Sequence, residues 1–176
     1  ALSQGREQNL EQTLLTAKTL GYDLQGIVPR VLKQANPQSS TKYTVVIVGA
    51  GAAGISVAAS LLSRQADLDI AIIDPADIHY YQPGWTMVGG GIFPPAKTAR
   101  QMRDLIPQKV KWIQQAVAAF DPENKQVILE GCKPLSYEAL VICPGLKRNW
   151  HGIEGLVETL GKNGVTSNYR YDLAPY

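Results

Sequence analysis

The chain has 176 residues, of which 45% are hydrophobic and 18% charged, with a formal net charge of +2. That is ordinary globular composition, with room for one core and a small appendage. The basic residues lie in short clusters such as Lys109 with Lys111 and Lys147 with Arg148, which excludes a nucleic-acid footprint. The two cysteines, Cys132 and Cys143, exclude a disulfide framework.

No apolar run reaches the roughly 18 residues of a spanning helix, and no signal peptide is visible in these residues. No cluster has metal-ligand spacing. The start at Ala1 and the end at Tyr176 lead us to expect a fragment of a longer protein.

Residues 1–36 form an expected helical appendage. Leu10, Leu14, Ala17 and Leu20 fall at helical spacing, and Gly21 stands where that helix would end. A shorter amphipathic piece follows with Ile27, Val31 and Leu32, and Pro29 sits in its first turn. The polar run 37–42 is expected to be a linker.

From Tyr43 the pattern changes. Residues 43–48, Tyr-Thr-Val-Val-Ile-Val, are the continuous β-branched run of a buried parallel strand. Gly49-Ala50-Gly51-Ala52-Ala53-Gly54 follows, then a helix face of Ile55, Ala58, Ala59, Leu61 and Leu62, then a second buried strand over 68–73. Strand, glycine turn, helix and strand within about 30 residues are one βαβ unit.

In that context G-x-G-x-x-G is a dinucleotide-binding turn. Gly49 permits the tight bend, Gly51 lets the backbone approach a pyrophosphate, and Gly54 lets helix and strand pack closely. The helix start offers free N–H groups and partial positive charge to phosphates. Asp74 lies twenty residues after Gly54, at the tip of the second strand, where a carboxylate accepts hydrogen bonds from ribose hydroxyls. It would repel a 2′-phosphate, and no arginine stands beside it, so NADP is not expected.

Residues 75–97 are expected to be a long, functional loop rich in Gly, Pro, Tyr and Trp. A short helix over 98–105 comes next. A meander then follows: 110–120, 126–129, a turn at Glu130-Gly131-Cys132, and 139–143. The expected fold is α/β, a Rossmann-like domain over 43–176 with a parallel sheet, helices and a β-meander, incomplete at its end. Cys143 is expected in the core and Cys132 as a surface thiol. His79 is expected as a loop residue, and Tyr80, Tyr81 and Trp85 as packing around the loop. Asp69, Asp77 and Glu138 have the look of solvated charges.

The order of these segments resembles the two-dinucleotide-domain flavoproteins, whose FAD domain closes on a strand ending in Ala-Thr-Gly. Here the closing residues are Cys143-Pro144-Gly145. The stretch His79-Tyr80-Tyr81-Gln82-Pro83-Gly84-Trp85-Thr86 with Val88-Gly89-Gly90-Gly91 is more specific. It resembles the sulfide:quinone oxidoreductase family, in the branch that includes the mitochondrial enzymes. Ile106-Pro107, Val110-Lys111-Trp112-Ile113 and Ser167-Asn168-Tyr169 are similar to that branch too.

The resemblance implies FAD as cofactor and sulfide and quinone as partners, with peripheral contact at a bacterial or mitochondrial inner membrane made outside this stretch. It implies that Ala52 and Ala53 line the pyrophosphate and that Gln82 touches the cofactor beyond the ribose strand. It further implies that Val117 bonds the adenine through its backbone and that Gly145 lies near the flavin mononucleotide half.

The family's reactive cysteine pair is expected beyond Tyr176, so no catalytic residue is assigned here, and the isolated chain is expected to be soluble and without turnover. The appendage weakly resembles the end of a phosphatase-like domain. Two other readings stay open: a type II NADH:quinone dehydrogenase-like flavoprotein, and a non-catalytic flavin-binding module.

Overall fold

The structure is a computed structural model that describes residues 41–176. The expected helical appendage and most of the expected linker lie outside the described residues. Those described form two compact units, 42–116 with 137–176, and 117–136.

The first unit is built on parallel strands. β1 (Thr41–Val48) begins two residues before the expected Tyr43 and is fully buried over its second half. β2 (Ile70–Ile73) is buried throughout. The two pair in parallel, Val45 opposite Ile70 through Val48 opposite Ile73. Four consecutive buried aliphatic residues on each strand mean that both faces of the sheet are covered.

The connection is α1 (Ala52–Arg64), which buries Gly54 and Ala58 and packs Ile55, Val57, Leu61 and Leu62 on the core. Leu68 and Asp69, expected in the second strand, instead lie between the turn at Ala66 and Asp67 and the start of the strand at Ile70.

β5 (Lys111–Ile113) adds to the far side of β2, also in parallel, with Ile72 opposite Trp112. It is half of the single segment expected over 110–120. The other half belongs to the second unit, because Gln114 to Ala116 break the run. β8 (Leu135–Ile142) lies on the other side of β1, so the strand order here is β5-β2-β1-β8. Met102, Ile106 and Val110 complete the core with Val45, Ile47, Ile70 and Ile72.

The expected loop over 75–97 is ordered in short pieces. β3 (Ile78–Tyr80) pairs antiparallel with β4 (Ala99–Gln101). Between them stand a 3₁₀ turn at Gln82–Gly84, α2 (Trp85–Gly89) and a 3₁₀ turn at Pro95–Thr98. The helix expected over 98–105 is therefore replaced by a strand between two single turns. Apolar spacing over eight residues is too short to separate those outcomes, and pairing with β3 decides. Trp85 and Val88 bury themselves with Ala174, flanked by Phe93 and Tyr171. α3 (Leu156–Thr159) is a single turn in the tail.

The second unit is a hairpin. β6 (Val117–Asp121) pairs antiparallel with β7 (Gln126–Leu129), with a register shift between Val117 and Ala119. Its turn is held by Asp121, whose carboxylate accepts from the N–H and the side-chain amide of Asn124. β7 pairs in turn with Leu135 and Ser136, the first residues of β8. The antiparallel segments are therefore 117–121, 126–129 and 135–136, whereas the expected meander had 110–120 as its first piece and 139–143 as its last.

Candidate functional site

The glycine bend sits where β1 ends and α1 begins. Gly49 has φ +97°, a backbone conformation that favours glycine. Its N–H donates to Ile73 O at 2.8 Å, which ties the bend to the end of β2. A Cβ added at Gly49 would meet Cys143 O at 2.0 Å, and one added at Gly54 would meet Gly49 O at 1.9 Å. At Gly51 a Cβ would meet nothing within 4 Å. The first and third glycines are thus needed by the protein's own packing, whereas the second faces open space.

That space lies at the helix start. Gly51 caps α1, its carbonyl takes the N–H of Ile55 at 3.1 Å, and Ala52 and Ala53 are exposed. The N–H groups of a helix's first turn have no partner within the helix. No acidic residue stands in that turn to repel an anion. A phosphate can therefore approach backbone donors and the positive end of a helix of thirteen residues.

Asp74 is brought to the same place. Its Oδ2 accepts from the N–H of Ala50 at 2.7 Å, across 24 residues of sequence, and its Oδ1 accepts from the N–H of Ala76 at 2.9 Å. The carboxylate is half-buried and directed at the glycine bend. About four lone-pair directions are available on a carboxylate, so roughly half remain for sugar hydroxyls. Its main chain is held as well, the N–H by Ile113 O at 3.2 Å and the carbonyl by Trp112 Nε1 at 3.1 Å.

Gly145 follows β8 with φ +76° and is exposed. The residues before it are anchored to the bend, because the Cys143 N–H donates to Val48 O at 2.7 Å. Cys143 is half-buried rather than in the core, and neither it nor Cys132 is in a disulfide. Gln82 stands at the start of its 3₁₀ turn and donates through Nε2 to Asn168 O at 3.3 Å. The Asn168 amide donates in turn to Thr86 Oγ1 at 3.2 Å. Val117 opens β6 in the hairpin unit, opposite Leu129.

Of the aromatic residues, Trp85 packs as expected at 7% exposure, while Tyr81 is 55% exposed. Tyr80 lies against Tyr171, with ring centroids 4.6 Å apart.

Sequence reasoning missed three residues. Ala50 supplies the N–H that receives Asp74, and any residue type could do so, so its identity carried no signal. Trp112 lies in the Val110-Lys111-Trp112-Ile113 stretch of the resemblance, which gives it no role, since its partner is fixed only by the pairing of β5 with β2. Thr98 is 2% exposed, accepts from Trp85 Nε1 at 3.2 Å and donates to Pro95 O at 2.8 Å. A threonine expected on a helix gave no hint of that.

Residues 43–174 match the family model described as pyridine nucleotide-disulphide oxidoreductase. The mitochondrial sulfide:quinone oxidoreductase of Dictyostelium discoideum is 46% identical over 129 residues, covering 73% of this chain and 28% of that protein. The one from Mus musculus is 35% identical over 127 residues, covering 72% and 28%. The chain thus spans little more than a quarter of the length of these curated relatives.

Among solved structures, the sulfide:quinone oxidoreductase of Aquifex aeolicus has the same fold, with a TM-score of 0.64 at 24% identity over 77% of this chain and 30% of that one. The expected fold class and the resemblance carried by the Tyr-Gln-Pro stretch are both borne out. The chain belongs to the pyridine nucleotide-disulphide oxidoreductases, and the two curated relatives named above are sulfide:quinone oxidoreductases.

Proposed function

We propose that this chain holds FAD for an oxidoreductase that passes electrons from sulfide to quinone. The observation that carries the reading is the Asp74 carboxylate resting on the N–H of Ala50, beside the open space at Gly51. The bend and the carboxylate together offer donors to a diphosphate and acceptors to the sugar next to it, which is the order of groups in an adenosine diphosphate.

Each residue does a separable task. Ala52 and Ala53 present N–H groups to the pyrophosphate, and Gly51 leaves it room. Asp74 accepts from the ribose and rejects a 2′-phosphate by charge. Gly145 lies beside the flavin mononucleotide half, and Gln82 touches the cofactor from the loop side. When bound, FAD supplies a two-electron acceptor for sulfide and a donor for quinone. The chain's own residues contribute binding and orientation.

Quinones dissolve in membranes, so the whole protein works at a bacterial or mitochondrial inner-membrane surface. No helix among the described residues is long and apolar enough to cross a membrane. Neither Cys132 nor Cys143 serves as the sulfide-reactive pair, and the chain alone has no turnover.

The test is a visible spectrum of the purified chain after incubation with FAD and gel filtration. A retained flavin band with no sulfide-dependent quinone reduction supports the reading. A chain that emerges without flavin overturns the binding role. A chain that oxidises NADH instead assigns it to the type II dehydrogenase class.

A further inference from the structure

Beyond Ile73 and Ile113 the ladder between β2 and β5 stops, and the next carbonyl, that of Asp74, has no strand partner. A half-buried carbonyl left without a donor is costly. The structure supplies an indole, since Trp112 Nε1 donates to Asp74 O at 3.1 Å. The neighbouring contact, from Gln114 Nε2 to Pro75 O, is long at 3.5 Å and exposed. Trp112 is therefore the side chain that holds the peptide following β2.

The Trp112 ring is packed against the core cluster, so its N–H projects from a rigid support. What it holds decides where a carboxylate points. Both oxygens of Asp74 already accept backbone N–H groups, from Ala50 and Ala76, so the directions left over are set by the placement of the residue itself. If the peptide at residue 74 shifts, those remaining acceptor directions shift with it.

We propose that Trp112 is a positioning residue for recognition of the ribose 2′-hydroxyl of an adenosine diphosphate group, acting through the main chain of Asp74. This rests on the dinucleotide reading above and adds a residue outside the glycine motif. Trp112 makes no contact with the sugar, and it sets the angle at which Asp74 does.

The test compares ADP with 2′-deoxy-ADP as probes, by NMR-detected titration of the full 176-residue chain. The wild-type chain should prefer ADP about tenfold, the effect of one charge-assisted hydrogen bond. Trp112→Phe keeps an aromatic side chain, smaller than the indole, and removes the donor. It should weaken ADP binding about threefold to tenfold, and most of the preference over 2′-deoxy-ADP should vanish with it. In an Asp74→Ala background the same change should have no further effect on that preference.

Equal weakening toward both probes would mean that Trp112 only supports the fold, and overturns the proposal. A wild-type chain that prefers ADP, with Trp112→Phe unchanged, also overturns it and leaves the dinucleotide reading intact. A wild-type chain that binds neither ADP nor FAD removes both. Should the variant fold poorly, the wild-type chain carries the same test. The indole N–H resonance of Trp112 is expected to move on addition of ADP and to move less with 2′-deoxy-ADP. Equal movement, or none, counts against the role.

Discussion

A methyl group on Gly49 would lie 2.0 Å from the carbonyl oxygen of Cys143. The end of β8 runs against the glycine bend, and the Cys143 N–H is bonded to Val48 O at 2.7 Å. The three glycines of one motif therefore answer to different demands. Gly49 and Gly54 are required by contacts of the chain with itself, whereas a Cβ at Gly51 would meet only open space.

Gly49→Ala and Gly54→Ala are expected to lower folding stability by about 2–4 kcal/mol, since backbone atoms cannot move aside as a flexible side chain would. Gly51→Ala should stay within about 1 kcal/mol of wild type, because φ there is −68° and a Cβ meets no neighbour. It should nonetheless weaken FAD binding by about tenfold or more, as the methyl occupies the approach of the pyrophosphate. Urea midpoints and flavin fluorescence titrations separate the two effects. Equal stability losses at Gly51 and Gly54 would contradict the division.

Asp74→Ala removes the acceptor for the Ala50 and Ala76 N–H groups and should cost about 1–3 kcal/mol of stability as well as ribose recognition. Asp74→Asn retains one acceptor oxygen and should lie between wild type and alanine in both measurements. An alanine variant with wild-type stability and undiminished ADP affinity would show that the clamp is idle.

Thr98→Val preserves shape and removes a hydroxyl that accepts from Trp85 and donates to Pro95. The buried indole N–H would lose its acceptor and the Pro95 carbonyl this donor. A loss of about 1–3 kcal/mol is expected, measured by thermal or urea unfolding. Trp85 fluorescence should shift in the folded variant, because its N–H loses a partner.

Tyr43 gives the chain a dependence on alkaline pH. Burial, and then the negative charge of nearby Asp69, hold its phenol above the ordinary value of 10.0. The unfolded chain therefore loses this proton first, and above that value it binds fewer protons than the folded one, so stability falls as pH rises. The contribution is fully present below the ordinary value and is lost as pH climbs through the raised one. Tyr43→Phe should flatten this part of the curve of unfolding free energy against pH. An unchanged slope would remove Tyr43 as its source.

Much of the candidate site is legible in the sequence. The continuous apolar runs of β1 and β2 and the glycine spacing between them follow from local rules of burial and backbone freedom, so Gly49, Gly51, Gly54 and Asp74 could be named from their order alone. The short pieces between Pro75 and Gln101 could not. A strand of three residues such as β4 has no periodicity of its own and exists only because Ile78, His79 and Tyr80 pair with it. For the same reason the run from Val110 to Phe120 looked like one strand. Nothing local says that Lys111–Ile113 pairs in parallel with β2 while Val117–Asp121 turns into a hairpin with β7.

The order of residues by itself determined that a bend of small residues must stand between two buried strands, with an acid at the second strand's tip. Only the assembled sheet decided that this acid would rest on the N–H of Ala50, that an indole from β5 would hold its carbonyl, and that β8 would leave no room for a side chain at Gly49. The physical reason is range. Chain direction and burial are encoded by neighbours a few residues apart, whereas a hydrogen bond across 24 or 38 residues depends on which strands the sheet sets side by side.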